Sequence, residues 1–478
     1  MDRLTPIDRI PPEVLGLVPD YWNVPYGDKD VIALTHVCRA WREIFISRSS
    51  LWTEFKCVDA DKTRVYLERS NTSPINLWLD RDGTMSSCDP FFQIIPRAVS
   101  RLKSLTINGK SGNVEDITAN LLHPAPLLER LEIDARTGWT GLRNPVLPTA
   151  LFNGDLTSLR ALRLQCVRTE LPWRNMIDPT SFSLSDTWPV KISVRQFLDF
   201  FENAPRLCNI YLDEVTPASG GQHGRLVSLA CLERMKIMGS WPTSLLLDHL
   251  VIPVGVKLTI WVDSPGHVIE DHLPRSLDNL GNLSDFTKIH LHVDEPYILI
   301  RFSGPNGKVH MVASHIDFCS VLESLARFDT SKAERLGIVS NDYPSGDHFY
   351  QALLPMKNLR TLTLSRCFNL HNFMDALHRN MGSSKTVVCP KLEELVLILP
   401  IGGEEFNIGN LVDMAAARAS RGAKLGTVRI VDEEDKLDPV HLLELKKHAF
   451  QVERCPEVGE VGVVDGDSDD NEEGGRER

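Results

Sequence analysis

Closely spaced cysteines are missing from this chain: its ten cysteines are scattered and no two form a CxxC. That excludes the usual zinc-ribbon and zinc-finger spacings and reads as the buried, reduced thiols of an intracellular protein. No apolar run approaches the roughly 20 residues that a membrane span requires, so no membrane contact is expected. The opening MDRLTPIDRIPPEV has no apolar stretch of the kind a secretory signal carries. Positive charge is also short: 52 Lys and Arg face 64 Asp and Glu, a net charge of -12. A general nucleic-acid binder needs a basic face, and nothing in the linear sequence concentrates one, so no nucleic-acid partner is expected. Catalytic signatures are wanting too, with no GxSxG elbow, Walker loop, HExxH or kinase pattern. The chain therefore reads as soluble, cytoplasmic and/or nuclear, without a cofactor and not an enzyme.

What is present is apolar residue in quantity, 42% of a 478-residue chain. That is enough for a sizeable core, distributed over two or three units or one extended array.

The first fifty or so residues form a small helical module. In DVIALTHVCRAWREIFISRSSLW, Asp30 to Trp52, the positions Leu34, Val37, Cys38, Trp41 and Phe45 fall on one stripe at helical spacing. His36, Arg39, Glu43 and Ser47 take the other face. The spacing predicts one amphipathic helix, with Asp28 or Asp30 near its start and SRSS as its end. Upstream, IPPEVLGLVPDYW (Ile10 to Trp22) predicts a second short helix with prolines in its first turn and Val14, Leu15 and Val18 on a common side. A segment so small buries too little surface to be comfortable alone. Its apolar face must cover either the rest of this chain or another polypeptide.

The order Ile10-Pro11-x-Glu13-Val14-Leu15, Val37-Cys38-x-x-Trp41-Arg42, Leu51-Trp52 resembles the F-box, and the pairing of THVCRAWREI with SRSSLW is similar to F-box proteins of mushroom-forming fungi. One departure is the polar NVPYGDKD between the helices, which carries a proline and a glycine. The resemblance implies docking on the Skp adaptor, and through it on a cullin, in a cullin–RING ubiquitin ligase of SCF type. It implies Pro11, Val14, Leu15, Val37, Cys38, Trp41, Leu51 and Trp52 as adaptor contacts or their support, some of them holding the module's own core instead.

Beyond Phe55 a repeat takes over, with apolar residues at positions 1, 4 and 6 of a short window. The windows begin at Leu102, Leu128, Leu159, Leu207, Leu232, Phe286, Ala333, Leu359, Leu392 and Leu425. Their spacing is mostly about 25 to 33 residues, in or near the leucine-rich-repeat range. One strand per window points positions 4 and 6 inward while position 1 closes the preceding turn, and neighbouring units share a core that none could build alone. SPINLWLD (Ser73 to Asp80) adds an earlier strand. Several windows follow a Pro-x-Leu lead-in, as in HPAPLLERLEI, ENAPRLCNIYL and VVCPKLEELVL, and Ser193 to Leu207 reads as a returning helix. LRTLTLSRCFNL fits best, with Cys367 and Asn369 where the chain should leave the strand. Such units resemble the irregular leucine-rich repeats found behind F-boxes; the competing reading is the ordinary strands of an α/β domain.

The expected fold is thus α/β: an N-terminal helical F-box over 1–57, then an irregular leucine-rich-repeat solenoid, a horseshoe of strand–helix units, over 58–450. Two stretches break the period. Near 240–275, IPVG and DSPG are turns around the strand VKLTIWV; near 296–316, GPNG marks a hairpin that either decorates the horseshoe as part of a binding face or, the preferred reading, is a plain edge hairpin. Residues 451–478, ending in DGDSDDNEEGGRER, read as an acidic disordered tail. His290 and His292 share one face of a strand but lack the third ligand of a metal site. Trp78, Trp139, Trp173, Trp188, Trp241 and Trp261 are either contact anchors or covers for repeat edges. The functional expectation is a substrate receptor for an unknown protein substrate. The alternative is a repeat scaffold capped by an F-box-like segment.

Overall fold

The computed structural model describes residues 10–17, 28–57, 60–81, 91–136, 144–169, 175–186, 192–218, 224–263, 268–340, 344–367, 370–379, 387–399, 407–432, 437 and 439–455. The chain divides into two compact units, residues 1–223 and 224–478, so the expected boundary at 57/58 falls inside the first.

Unit one opens with helices α1 (Pro12–Leu17), α2 (Asp28–Thr35) and α3 (Arg39–Ser47) and a 3-10 turn, Ser49–Trp52. After β1 (Glu54–Lys56) come α4 (Ala60–Arg69), β2 (Ile75–Arg81), α5 (Phe91–Ala98), β3 (Leu102–Lys110) and α6 (Ser111–Ala119). They are followed by β4 (Arg130–Arg136), β5 (Ala161–Gln165), β6 (Ser181–Ser185), α7 (Val194–Glu202) and β7 (Asn209–Asp213). β1 to β7 pair in chain order and all in parallel. A strand order without reversal is compatible with solenoid-like stacking, whereas a doubly wound sheet reverses at a switch point.

A recurrent turn sets each strand. The N–H of Leu128 donates to the carbonyl of Ala125 (3.0 Å), Leu207 to Ala204 (3.1 Å) and Leu392 to Cys389 (3.0 Å). In all three the second residue is proline, which suits that turn position and has no N–H to leave unpaired. The next two amides then bond one carbonyl of the preceding repeat. Arg160 and Ala161 both donate to Glu129, and Thr180 and Ser181 to Arg160. This explains a strand that the 1-4-6 count misses: β6 carries Pro179 where the leucine belongs, yet Phe182 and Leu184 point inward like the rest. The helix expected over Ser193 to Leu207 is shorter, ending at Glu202 ahead of Pro205. It begins with a capping box between Ser193 and Gln196.

Unit two holds β8 (Arg234–Gly239), α8 (Ser244–Leu247), β9 (Lys257–Val262), β10 (Lys288–Asp294), β11 (Tyr297–Gly304) and β12 (Gly307–Ser314). Strand and helix then alternate: α9 (Phe318–Ser324), β13 (Arg335–Ser340), α10 (Gly346–Leu353), β14 (Thr361–Ser365), α11 (Leu370–His378) and β15 (Glu394–Ile398). The last elements are α12 (Ile408–Ser420), β16 (Leu425–Val431), α13 (Pro439–His448) and β17 (Ala449–Cys455). β17 takes in residues 451–455, which were expected in the tail, because it pairs in parallel with β16; the remainder of that segment lies outside the described residues. Asn369 also lies outside them, but Cys367 is buried just after Arg366, whose φ of 56° turns the chain off β14.

The hairpin is no edge. β11 pairs antiparallel with β10 and β12, and β12 pairs in parallel with β9, so the hairpin is set into the sheet between β9 and β10. Its inward residues Ile298, Ile300 and Phe302 continue the core row of Ile289, Leu291 and Val293. Its tip takes the place of a repeat turn. Asn306 donates to Ser284 (2.9 Å) and Asp285 (2.8 Å), and its carbonyl accepts from Gly255 (2.6 Å). The backs of several units are tied by arginines: the buried Arg418 donates to the carbonyls of Val388 (2.7 Å) and Cys389 (2.9 Å), and Arg327 to that of Pro274 (2.7 Å). Burial pushes the Arg418 guanidinium down to about 10.

Gly304 leaves no room for a methyl group, since a Cβ there would lie 2.4 Å from the Asp285 carbonyl oxygen. Gly304→Ala is therefore expected to destabilise the chain by about 1–3 kcal/mol through overpacking. A thermal unfolding midpoint unchanged from wild type would contradict the inserted position of the hairpin.

Candidate functional site

Two surfaces collect chemistry, one in each unit. In the first, the single helix predicted from Asp28 or Asp30 to the SRSS break at Ser47 is two helices. Thr35 closes α2 by bonding Ile32 (2.7 Å), Cys38 is extended (φ -156°), and Arg42 of α3 donates back to the Thr35 carbonyl (2.9 Å). The β-branched Thr35 and Val37 around this break weaken any continuous helix. On α1, Pro12 occupies the first turn and the Pro11 carbonyl accepts from both Val14 and Leu15 (3.0 Å each).

The structure divides the eight residues expected at an adaptor. Leu15, Leu51 and Trp52 are buried, as are Val31, Leu34 and Phe45. Trp52 is fully enclosed: its indole N–H donates to the Phe45 carbonyl (2.9 Å), Tyr66 of α4 meets it edge-on at 5.1 Å, and the Arg69 guanidinium lies 4.3 Å over its ring. Trp41 is half-buried, packed edge-on against Phe45 at 5.4 Å. Pro11 and Cys38 are exposed, and so are Val14 (52%) and Val37 (57%). Leu17 of α1, 46% exposed, joins the outward set, although the sequence reading passed it over. Val18 and Trp22 lie outside the described residues.

The second surface is the outward face of unit two's sheet. Register lines up Arg234, Lys257, Lys308, Ser303, Lys288 and Arg335 as one row across β8, β9, β12, β11, β10 and β13. The next row along the strands is Lys236, Thr259, His310, Arg301, His290 and Gly337. A third row is apolar but for one histidine: Met238, Trp261, Val312, Leu299, His292 and Val339. No linear window reveals the basic rows, because each strand contributes its charge alone. The available signal was position 3 of three windows, occupied by Arg234, Lys288 and Arg335. Unit one's outward rows differ, as in Asp80, Asn108, Asp134, Gln165, Ser185 and Asp213.

His290 is wedged in the second row with its Nδ1 unpartnered among the described residues. Burial pushes its imidazole down to about 4, helped by Arg301 and His292, so it is neutral near pH 7. His290 and His292 stand 6.4 Å apart, and no group of three or more potential metal ligands occurs among the described residues. Trp241 is buried, while Trp78 and Trp261 are half-buried on outward strand positions; Trp139, Trp173 and Trp188 lie outside the described residues. A cleft of about 320 Å³ lies along the turns of unit one, where Lys103 and Glu129 pair at 3.6 Å. No helix among the described residues is long and apolar enough to cross a membrane. No protein-family model matches the chain, and no curated protein matches it.

The division of the tryptophans has a measurable consequence. Trp52→Ala is expected to cost about 3–5 kcal/mol, as for a large side chain removed from a core, and Trp41→Ala clearly less. Urea unfolding midpoints check this, and equal losses would contradict the assignment.

Proposed function

We propose that this chain is the substrate-recognition subunit of an SCF-type cullin–RING ubiquitin ligase. Its N-terminal helices act as an F-box that binds the Skp adaptor, and through it the cullin. Its strand–helix units act as leucine-rich repeats that bind a protein substrate. The observation that carries this reading is the pair Val14 and Val37. Both stay exposed while Leu15, Phe45, Leu51 and Trp52 are buried. Exposed valines at the positions the F-box resemblance assigns to the adaptor suit a helical face laid against a partner. Such a subunit makes and breaks no bond. It acts by holding a substrate lysine near a charged ubiquitin carrier, which raises the local concentration of the reacting pair.

One observation favours a second reading. Trp52 is closed off by Tyr66 and Arg69 of the same unit, as it would be in a helical cap belonging to a repeat scaffold outside any ligase. Exposed positions separate the two readings without disturbing the core. The double variant Val14→Asp, Val37→Asp is expected to weaken co-purification with the Skp adaptor by about thirtyfold or more, the scale of a lost interface anchor. Its unfolding midpoint should match wild type. Adaptor retained by the folded variant would remove the interface and leave the cap.

A further inference from the structure

Strand β17 is the last of unit two, and among the described residues it pairs with β16 alone, in parallel, from Leu425↔Ala449 to Val431↔Cys455. The Asp432 N–H donates to the Cys455 carbonyl (3.3 Å), which turns Cys455, and by strand alternation Gln451 and Glu453, toward β16. Val452 and Arg454 therefore aim their N–H and carbonyl groups at the open edge. Phe450 stands where Glu334, Arg360 and Glu393 stand in their repeats, at the position whose carbonyl takes two amides from the unit that follows. No described unit follows Phe450. Unpaired edges are commonly protected by charges that repel a neighbouring strand. Here both charges of the strand are held within the chain, Glu453 by Arg429 (2.6 Å) and Arg454 by Asp432 (2.9 Å). Apolar side chains are left outside instead. Phe450 is 77% exposed, with the Lys424 ammonium 4.4 Å over its ring, and Leu443 of α13, which packs on β17, is 63% exposed.

We infer that β17 pairs antiparallel with β17 of a second copy of this chain, about a two-fold axis at Val452. A strand set against itself meets the self-complementarity that a two-fold contact demands. In that register Val452 faces Val452 as a pair that exchanges both hydrogen bonds, and the Arg454 N–H faces the carbonyl of the copy's Phe450. On one face of the joined sheet Arg454 lies across from the copy's Phe450, a cation beside an aromatic ring. On the other Gln451 lies across from Glu453, so an amide meets a carboxylate and no like charges oppose one another. In-register parallel pairing would instead set Glu453 against Glu453 and Arg454 against Arg454. An extended peptide of another protein could satisfy the same backbone groups. Its side chains, however, have no pocket on β17 to select them, whereas the strand's own sequence supplies a partner at every position. The inference rests on unit two alone and does not draw on the ligase reading.

Sedimentation equilibrium of the full chain, from well below to well above about 10 μM, tests it. A species of twice the 53.7 kDa chain mass is expected to grow with concentration. Val452→Pro removes an N–H that points at the open edge, a change that edge strands tolerate. Phe450→Arg alters an exposed side chain and sets a second cation across the two-fold axis from Arg454. Each is expected to raise the dimer dissociation constant by about tenfold or more, the scale of a lost interface anchor, with the unfolding midpoint near wild type. The inference is overturned if wild type stays monomeric across this range, or if either folded variant dimerises as tightly as wild type. A dimer that forms only after deletion of residues 456–478 also overturns it, because the chain's own end would then be the occupant of the edge. Adaptor binding, measured on the same preparations, fails or holds independently of these results.

Discussion

The structure depends on a short turn in which the N–H of the first residue of most windows reaches back three positions to a carbonyl. Leu128 to Ala125, Leu359 to Met356 and Leu392 to Cys389 are the same bond made in different units. The turn seats an apolar side chain in the core and aims the next two amides at one carbonyl of the preceding repeat. In unit two the carbonyls of Thr287, Glu334, Arg360 and Glu393 each take two amides in this way. Buried amides cannot go unpaired, so each turn fixes the register of the strand that follows it. Register then decides which side chains face outward together.

That chain of consequence explains what could be read in the linear sequence. The repeat was legible because position 1, 4 and 6 residues answer to packing: Leu105 and Ile107, Leu362 and Leu364, and Leu395 and Leu397 are all buried where the periodicity placed them. β6 was hidden because a proline can stand at position 1 when its neighbours supply the bonds. The hairpin was visible through GPNG, but its place was not. A two-residue loop signals antiparallel pairing, and nothing local says that the pair will enter a parallel sheet and supply the missing turn through Asn306.

The functional surfaces were legible unevenly, for physical reasons. The N-terminal helices announced themselves by an apolar stripe, yet a stripe cannot say which of its members face the core. That was decided at a distance, by Tyr66 and Arg69 closing over Trp52 and by the break that turned Val37 and Cys38 outward. The basic rows were illegible as a group. Arg234 and Arg335 lie in remote strands, and only the pairing through β9, β12, β11 and β10 puts them in one line. A net charge of -12 measures the whole chain and says nothing of which basic side chains the register lines up.

Under the proposed function the N-terminal helices divide between an exposed set, Val14 and Val37, that faces an adaptor and a buried set that holds the module together. Hydrogen exchange of the full chain, alone and with purified Skp adaptor, bears on that division most directly. Slower exchange is predicted in residues 10–17 and 37–41, with 49–57 and the strands of unit two unchanged. Exchange that stays the same in both N-terminal segments while the adaptor is present in excess would contradict it.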